Sequence, residues 1–344
     1  MGGLPDPDWY FEHVLQYAAP DGGGLVRGPA AQWRDWWRDR DLAGLGIVAS
    51  PAEVAAAGVS RQTARTRVRR GRWTAAGRGY VAPVDISGPQ PYVVARRRHA
   101  LECAAAARRR SEHAISGRSG AVVHGLPTFR IPSRPELTAF DPVSLGRRRG
   151  STHVYGATIS AADVTDWFGV PVTTVARTLV DLARHDRRDA IMAGDAALRE
   201  LQVDCGQLRS ALDGAVGWPG VRQAREVLGL LDPRAESPLE SLTRLVLHDD
   251  GFPAPELQVW LGADRVDMLF VAQRLVLEID GRDKYGGGWS GDEETVRDPL
   301  WKEKRRERRL RALNYRVERV TWDEVVVRWP ETRTWLRAAV GLPD

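Results

Sequence analysis

Lysine is almost missing from this chain. It occurs only as Lys284, Lys302 and Lys304, so nearly all of the 50 positive side chains are arginines. Cysteine is scarce too: Cys103 and Cys205 stand far apart and neither belongs to a CxxC pair. That spacing argues against a disulfide framework or a cysteine zinc site and fits a reducing, cytoplasmic setting. No run of 18 or more apolar residues occurs, which argues against a membrane-spanning helix and predicts no membrane partner. The opening MGGLPDPDWYFEH has neither the basic start nor the apolar core of a signal peptide. His113, His124 and His153 show no metal-ligand spacing and read as packed or surface side chains. The glycine-rich GGGWSG at 286–291 lacks the lysine placement of a phosphate-binding loop. With no nucleophile–histidine pairing either, the small-molecule enzyme classes lose support.

What is present is arginine, and it is clustered. The 344 residues, 43% hydrophobic and 28% charged, allow two or three domains with sizeable cores. Net charge is +5 and the sequence pI is about 9.5. Codon bias accounts for much of the total; the clusters carry the signal, because arginine suits bidentate contact with phosphate and guanine. Residues 1–44 read as an N-terminal extension in which the Trp-rich QWRDWWRDRD predicts one short amphipathic helix of no assigned role.

From residue 45 the pattern sharpens. SPAEVAAAG (50–58) reads as a helix capped by Ser50 with proline in its first turn. SRQTARTRVRRG (60–71) reads as a second helix capped by Ser60, and RWTAAGRGYVAP as a hairpin. Helix, short turn, helix and hairpin outline a winged helix-turn-helix over 45–85. Its second helix carries arginines and no acid. Arg61, Gln62 and Arg65 are the candidate base-reading residues, with Arg69, Arg70 and Arg78 as phosphate contacts. The competing reading is a solvated, purely structural face.

Residues 86–232 predict a mixed α/β connector or regulatory domain. YVVARRRHALECAAAARRR and AISGRSGAVVHGLP read as helices, ELTAFDP and THVYGATI as strands, and VTTVARTLVDLARH and RDAIMAGDAALREL as amphipathic helices. Residues 233–344 predict the order αβββαβ: a helix near 237–251 capped by Ser237, strands near 256–261, 265–270 and 275–280, a basic helix near 296–312, and a strand near 315–321. The overall expectation is an α+β multidomain chain.

The last third poses the sharpest chemical question. RVDMLF and LVLEID put carboxylates into apolar strands. If Phe270 pairs with Leu275 across the loop VAQR, the antiparallel register sets Asp267 opposite Glu278, with Asp280 on the same face as Glu278. Facing anions destabilise a sheet, so something cationic is expected among them. An arginine would serve; so would Mg²⁺, which takes oxygen ligands. Alternatively the acids pair with Arg265 or Arg282 or face solvent. Glu240 on the preceding helix offers a further acid, and Lys284 follows closely.

The set Glu240, RVD, LEID, GRDKY and EKRRERRLRALNYRVERVTW (303–322) resembles the PD-(D/E)xK nucleases, in the branch related to very-short-patch-repair endonucleases. The resemblance covers about 110 residues and implies a restriction-endonuclease-like core and phosphodiester hydrolysis. It implies Asp267, Glu278 and Glu240 as ligands of Mg²⁺ or Mn²⁺, and Asp280 and Lys284 as further catalytic groups. Asp280 stands where the superfamily usually has lysine, which favours a non-catalytic descendant of the fold. Lys302, Lys304 and Arg305 on the basic helix are candidate DNA-backbone contacts, against a solvated helix laced with ion pairs. The first two-thirds is similar to abortive-infection AbiEi-type antitoxins, through SRQTARTRVRRGRW, RGYVA, SGRSGAVVHGLP and GVPVTTVARTLVDLAR. That similarity implies a DNA-binding repressor with a cognate toxin partner. A homodimer is a further expectation. Two functions follow: a DNA-directed, Mg²⁺-dependent endonuclease of phage-defence or mobile-element biology, or a non-catalytic regulator or antitoxin carrying a nuclease-like fold.

Overall fold

The computed structural model describes residues 29–38, 44–141, 151–157, 159–280 and 299–343. The chain divides into two compact units, Met1–Leu231 and Asp232–Asp344. Both mix helices and sheets.

The first unit opens with α1 (Pro29–Arg38), the Trp-rich helix. Far from being an appendage, it is core. Trp33 and Trp37 are buried, and Trp37 meets Trp167 edge-on at 5.5 Å between ring centroids. Trp33 donates its indole N–H to the Val123 carbonyl at 3.0 Å, and the Arg97 guanidinium lies 3.7 Å over the Trp36 ring. Buried aromatics contribute most to a core when their polar handle finds such a partner.

Next come α2 (Pro51–Ala56) and α3 (Arg61–Arg69). Ser50 and Glu53 form a reciprocal capping box on α2, and Ser60 accepts from the Thr63 amide on α3, so both helices start where their caps dictate. Strands β1 (Thr74–Gly77) and β2 (Tyr80–Ala82) form an antiparallel hairpin, and Ala49 adds a single bridge to Val81. The hairpin closes through Arg78 and Gly79, at φ 45° and 87°. Two consecutive positive φ values at the centre of a two-residue loop match the right-handed twist of the paired strands. Leu45, Ala49, Val54, Ala64 and Trp73 fill the small core beneath.

The long α4 (Pro91–Arg108) packs against β1 and shares one core with Ala76 and Ala82 of the hairpin. Then follow β3 (His113–Ile115), α5 (Gly117–Val123), β4 (Glu136–Ala139), β5 (His153–Tyr155), β6 (Val164–Trp167) and β7 (Val170–Thr173). The strands form one sheet in the order β5-β4-β3-β7-β6, with β3 parallel to β7 and antiparallel to β4. Helices α6 (Val175–His185), α7 (Arg187–Arg199), α8 (Cys205–Asp213) and α9 (Val221–Leu228) complete the unit. The stretch AISGRSG is therefore a strand followed by a helix, not one continuous helix.

SGRSG sits in a buried polar network. Gly117 adopts φ 56°, and an added Cβ there would lie 2.6 Å from a Glu136 carboxylate oxygen. That carboxylate accepts the Arg118 amide at 2.7 Å, while the Arg118 guanidinium pairs with Asp186 and Asp189. Ser119 Oγ contacts His99 Nε2 at 2.8 Å, and Cys103 Sγ stands 3.3 Å from the same ring. Burial, with Arg96 nearby, lowers the His99 pKa to about 4, so the ring is neutral in the folded chain.

The second unit contains α10 (Pro238–Asp249), β8 (Glu256–Leu261), β9 (Asp264–Phe270), β10 (Leu275–Asp280), α11 (Pro299–Ala312), β11 (Arg316–Thr321), α12 (Trp322–Val326) and α13 (Trp329–Val340). Its sheet runs β11-β10-β9-β8, antiparallel except for the parallel β10–β11 pair. A β-strand followed by a helix and a parallel neighbouring strand is the crossover that parallel pairing demands. Leu310 of α11 packs on Val266, Leu269 and Val276 of the sheet.

Candidate nucleic-acid interface

The physical character of α3 follows from its spacing. Ala64 and Val68, four residues apart, turn inward on the small core. The neighbouring stripe, Arg61, Arg65 and Arg69, repeats at the same interval and is exposed, with Gln62 and Arg70 exposed alongside. No acid interrupts the helix. Among the described residues, Arg61, Arg65, Arg70 and Arg78 have no ion-pair partner, and Arg69 reaches only Thr66 Oγ1 at 3.4 Å. Arg67 differs: it folds back with its guanidinium 4.8 Å over Trp73, half-buried, and serves packing. Arg78 occupies the tip of the hairpin, where φ 45° is the cost of placing a charged side chain rather than glycine in that turn. A one-sided row of arginines on a capped helix, flanked by a charged hairpin tip, can meet a polyanion without breaking an ion pair of the fold.

The carboxylates of the second unit are arranged otherwise. The pairing Phe270↔Leu275, Leu269↔Val276 and Met268↔Leu277 follows the register read from the loop length. One step further would set Asp267 opposite Glu278, but there the ladder ends. Asp267 Oδ2 accepts the Ile279 amide at 2.8 Å, replacing a strand hydrogen bond with a side-chain one. Glu278, 8% exposed, is held by a forked pair of bonds from Arg306 on α11, at 2.8 and 3.1 Å. Arg306 also donates to the Arg265 carbonyl at 2.6 Å. Glu240, 5% exposed, accepts the Glu236 amide at 3.0 Å and Gln258 Nε2 at 2.8 Å on one oxygen. Burial raises the pKa of both Glu240 and Asp267; the charge of Asp267 adds to the shift on Glu240, while the Ile279 amide works against that on Asp267. Asp280 is exposed at the end of β10.

Whether these acids suit Mg²⁺ depends on which of their oxygens are already committed. Both Glu278 oxygens face one guanidinium, and Glu240 Oε2 and Asp267 Oδ2 take protein N–H donors. Among the described residues no three acidic, histidine or cysteine side chains group as metal ligands. Among the described residues, Arg306 supplies the cation that holds Glu278. Lys284 lies outside the described residues, as does the side chain of Lys302.

Helix α11 divides its charges. Arg306 and Arg309 turn to the sheet, Arg309 forming a forked pair with Asp264, and Arg311 pairs with Glu307. Lys304 and Arg305 are exposed. The helix is thus partly the ion-paired structure that its alternating charges allowed.

Residue reading missed Arg306, whose partner lies 28 positions earlier. It also missed Arg109 and Arg134, which with Arg78 line a cleft in the first unit. For Arg306 and Arg109 the signal in the sequence was the arginine run each belongs to; Arg134 stands alone in IPSRPE.

No protein-family profile matches the chain. Two uncharacterized proteins from two strains of Mycobacterium tuberculosis are each 35% identical to it over 159 residues, 44% of this chain and 55% of theirs. The chain spans about half the length of these curated relatives. A crystal structure of the RV2827C protein from Mycobacterium tuberculosis covers 63% of this chain and 83% of its own at 19% identity, with a TM-score of 0.30, too slight a likeness to carry an argument. No helix among the described residues is long and apolar enough to cross a membrane.

Proposed function

We propose that this chain is a DNA-binding regulator: α3 enters the major groove, the β1–β2 hairpin tip flanks the backbone, and the second unit serves as a nuclease-like fold without its metal. The observation that carries this reading is the acid-free, exposed arginine stripe of α3, whose members have no ion-pair partner among the described residues. Arginines at the start of a recognition helix reach guanine edges, and those at its end reach phosphates. On this reading Arg61, Gln62 and Arg65 select sequence, while Arg69, Arg70 and Arg78 hold register. The regulator reading is preferred over the endonuclease because Glu278 is held by Arg306 and Asp280 stands exposed where a lysine was expected. An antitoxin role with a toxin partner falls within the same proposal.

Selection from a random duplex library tests it. Enrichment of a motif that Gln62→Ala or Arg61→Ala relaxes at one or two positions supports the reading; a library that stays random contradicts it. Plasmid incubation with Mg²⁺ or Mn²⁺ separates the two functions. The regulator leaves the plasmid intact, whereas cleavage lost in Asp267→Ala and Glu278→Ala would establish the endonuclease.

A further inference from the structure

A cleft of about 560 Å³ opens in the first unit where the β1–β2 hairpin approaches the end of α4 and the segment before β4. Arg78, Arg109 and Arg134 line it, with Ser133, Ser151 and Glu102. Three guanidinium groups around one cleft repel each other, yet among the described residues none has an ion-pair partner. Arg109 is the telling one. Its Nη1 is buried and donates to no acceptor among the described residues. A buried N–H without an acceptor is rare because it forfeits its bond to water. Burial lowers the basicity of this guanidinium, and the neighbouring charges of Arg78 and Arg110 lower it further. Glu102 is the one acid among the described lining residues, and it makes no ion pair with these three arginines; burial raises its pKa, against the pull of Arg98.

We propose that this cleft is a binding site for a small phosphate-bearing ligand, whose oxygens take the forked donors of Arg109, Arg78 and Arg134, with the Ser133 and Ser151 hydroxyls completing the shell. Guanidinium matches phosphate oxygens two by two, and the cleft volume falls within the roughly 300–1,000 Å³ of small-molecule sites. Arg78, Ser133, Arg134 and Ser151 are exposed and Arg109 is half-buried; what favours a small ligand is that all of them line one cleft. The site stands on the cleft and shares only Arg78 with the proposed DNA surface, so Arg109 and Arg134 are the residues that test it.

The test is calorimetric titration of the full chain with pyrophosphate at low ionic strength. Saturable binding of one equivalent is expected, weakened at least tenfold in Arg109→Ala and in Arg134→Ala and unchanged in Arg222→Ala, whose side chain is 93% exposed elsewhere. Arg109→Lys, which keeps the charge but loses the fork, should bind with intermediate affinity and shows that loss in Arg109→Ala is not misfolding. Absence of saturable binding, or equal affinity in Arg109→Ala, overturns the proposal. Complete displacement of pyrophosphate by a saturating random duplex from the Arg78→Ala variant, which no longer shares a residue with the proposed DNA surface, would make the cleft a backbone contact and overturn the small-ligand assignment.

Discussion

Arg306→Ala should destabilise the second unit more than any other surface-charge removal on α11. The whole side chain of Glu278 is 11% exposed and that of Arg306 23% exposed, with two charge-assisted bonds between them. Removing one member of a buried pair strands the other, at about 3–5 kcal/mol for fully buried cases. Partial access of water to Arg306 places this pair near the lower end, about 3 kcal/mol. With a urea slope of about 1.5 kcal/mol/M, the midpoint of the second unit falls by roughly 2 M. Two compact units preclude a single global probe, so the readout is amide hydrogen exchange at Val276 and Leu277 in the centre of β10. The double variant Glu278→Leu with Arg306→Met should recover most of the loss, since well-packed apolar replacements of buried pairs are close to neutral. A loss below about 1 kcal/mol, or a double variant as weak as the single one, would refute the claim that Arg306 neutralises this acid.

Three further outcomes follow from the structure. His99 titrates near 4 in the fold and near 6.5 unfolded, so the unfolded chain binds the extra proton first, and stability is lost as pH falls from about 6.5 through 4. That loss is about 3 kcal/mol, read as the difference between the pH profiles of the native chain and His99→Gln, since the raised acids Glu136 and Asp189 act in the opposite sense. Glu240 has its pKa raised by burial, so its contribution is present below the unfolded value and lost as pH rises through the folded one; Glu240→Gln should flatten that slope in exchange at β8 and β9. Gly117→Ala combines φ 56° with a 2.6 Å approach to Glu136 and should cost about 2–4 kcal/mol in thermal unfolding of the first unit.

Local chemistry made much of the fold legible. Ser50, Ser60 and Ser237 each precede a helix and cap it, two of them with proline in the first turn, because capping is decided within four residues. The four-residue loop VAQR was enough to set the β9–β10 register. What stayed hidden depends on distant partners. Strand β3 is three residues long and exists through pairing with β4 and β7, so its residues read as the start of a helix. The Trp-rich α1 carried no sign that its rings would meet Trp167 across the core. Apolar strands bearing carboxylates do call for a cation, but for Glu278 it comes from an arginine on a helix beyond the intervening segment, which sequence spacing does not encode.

The central claim, that α3 is a DNA-reading surface, is most directly tested by fluorescence anisotropy of a labelled selected duplex across a salt series. The native chain should show log affinity falling linearly with log salt. Replacing Arg69 and Arg70 with alanine should reduce that slope by about 0.9 for each phosphate no longer neutralised. Unchanged affinity and slope after removal of Arg61, Arg65, Arg69 and Arg70 together would contradict the account.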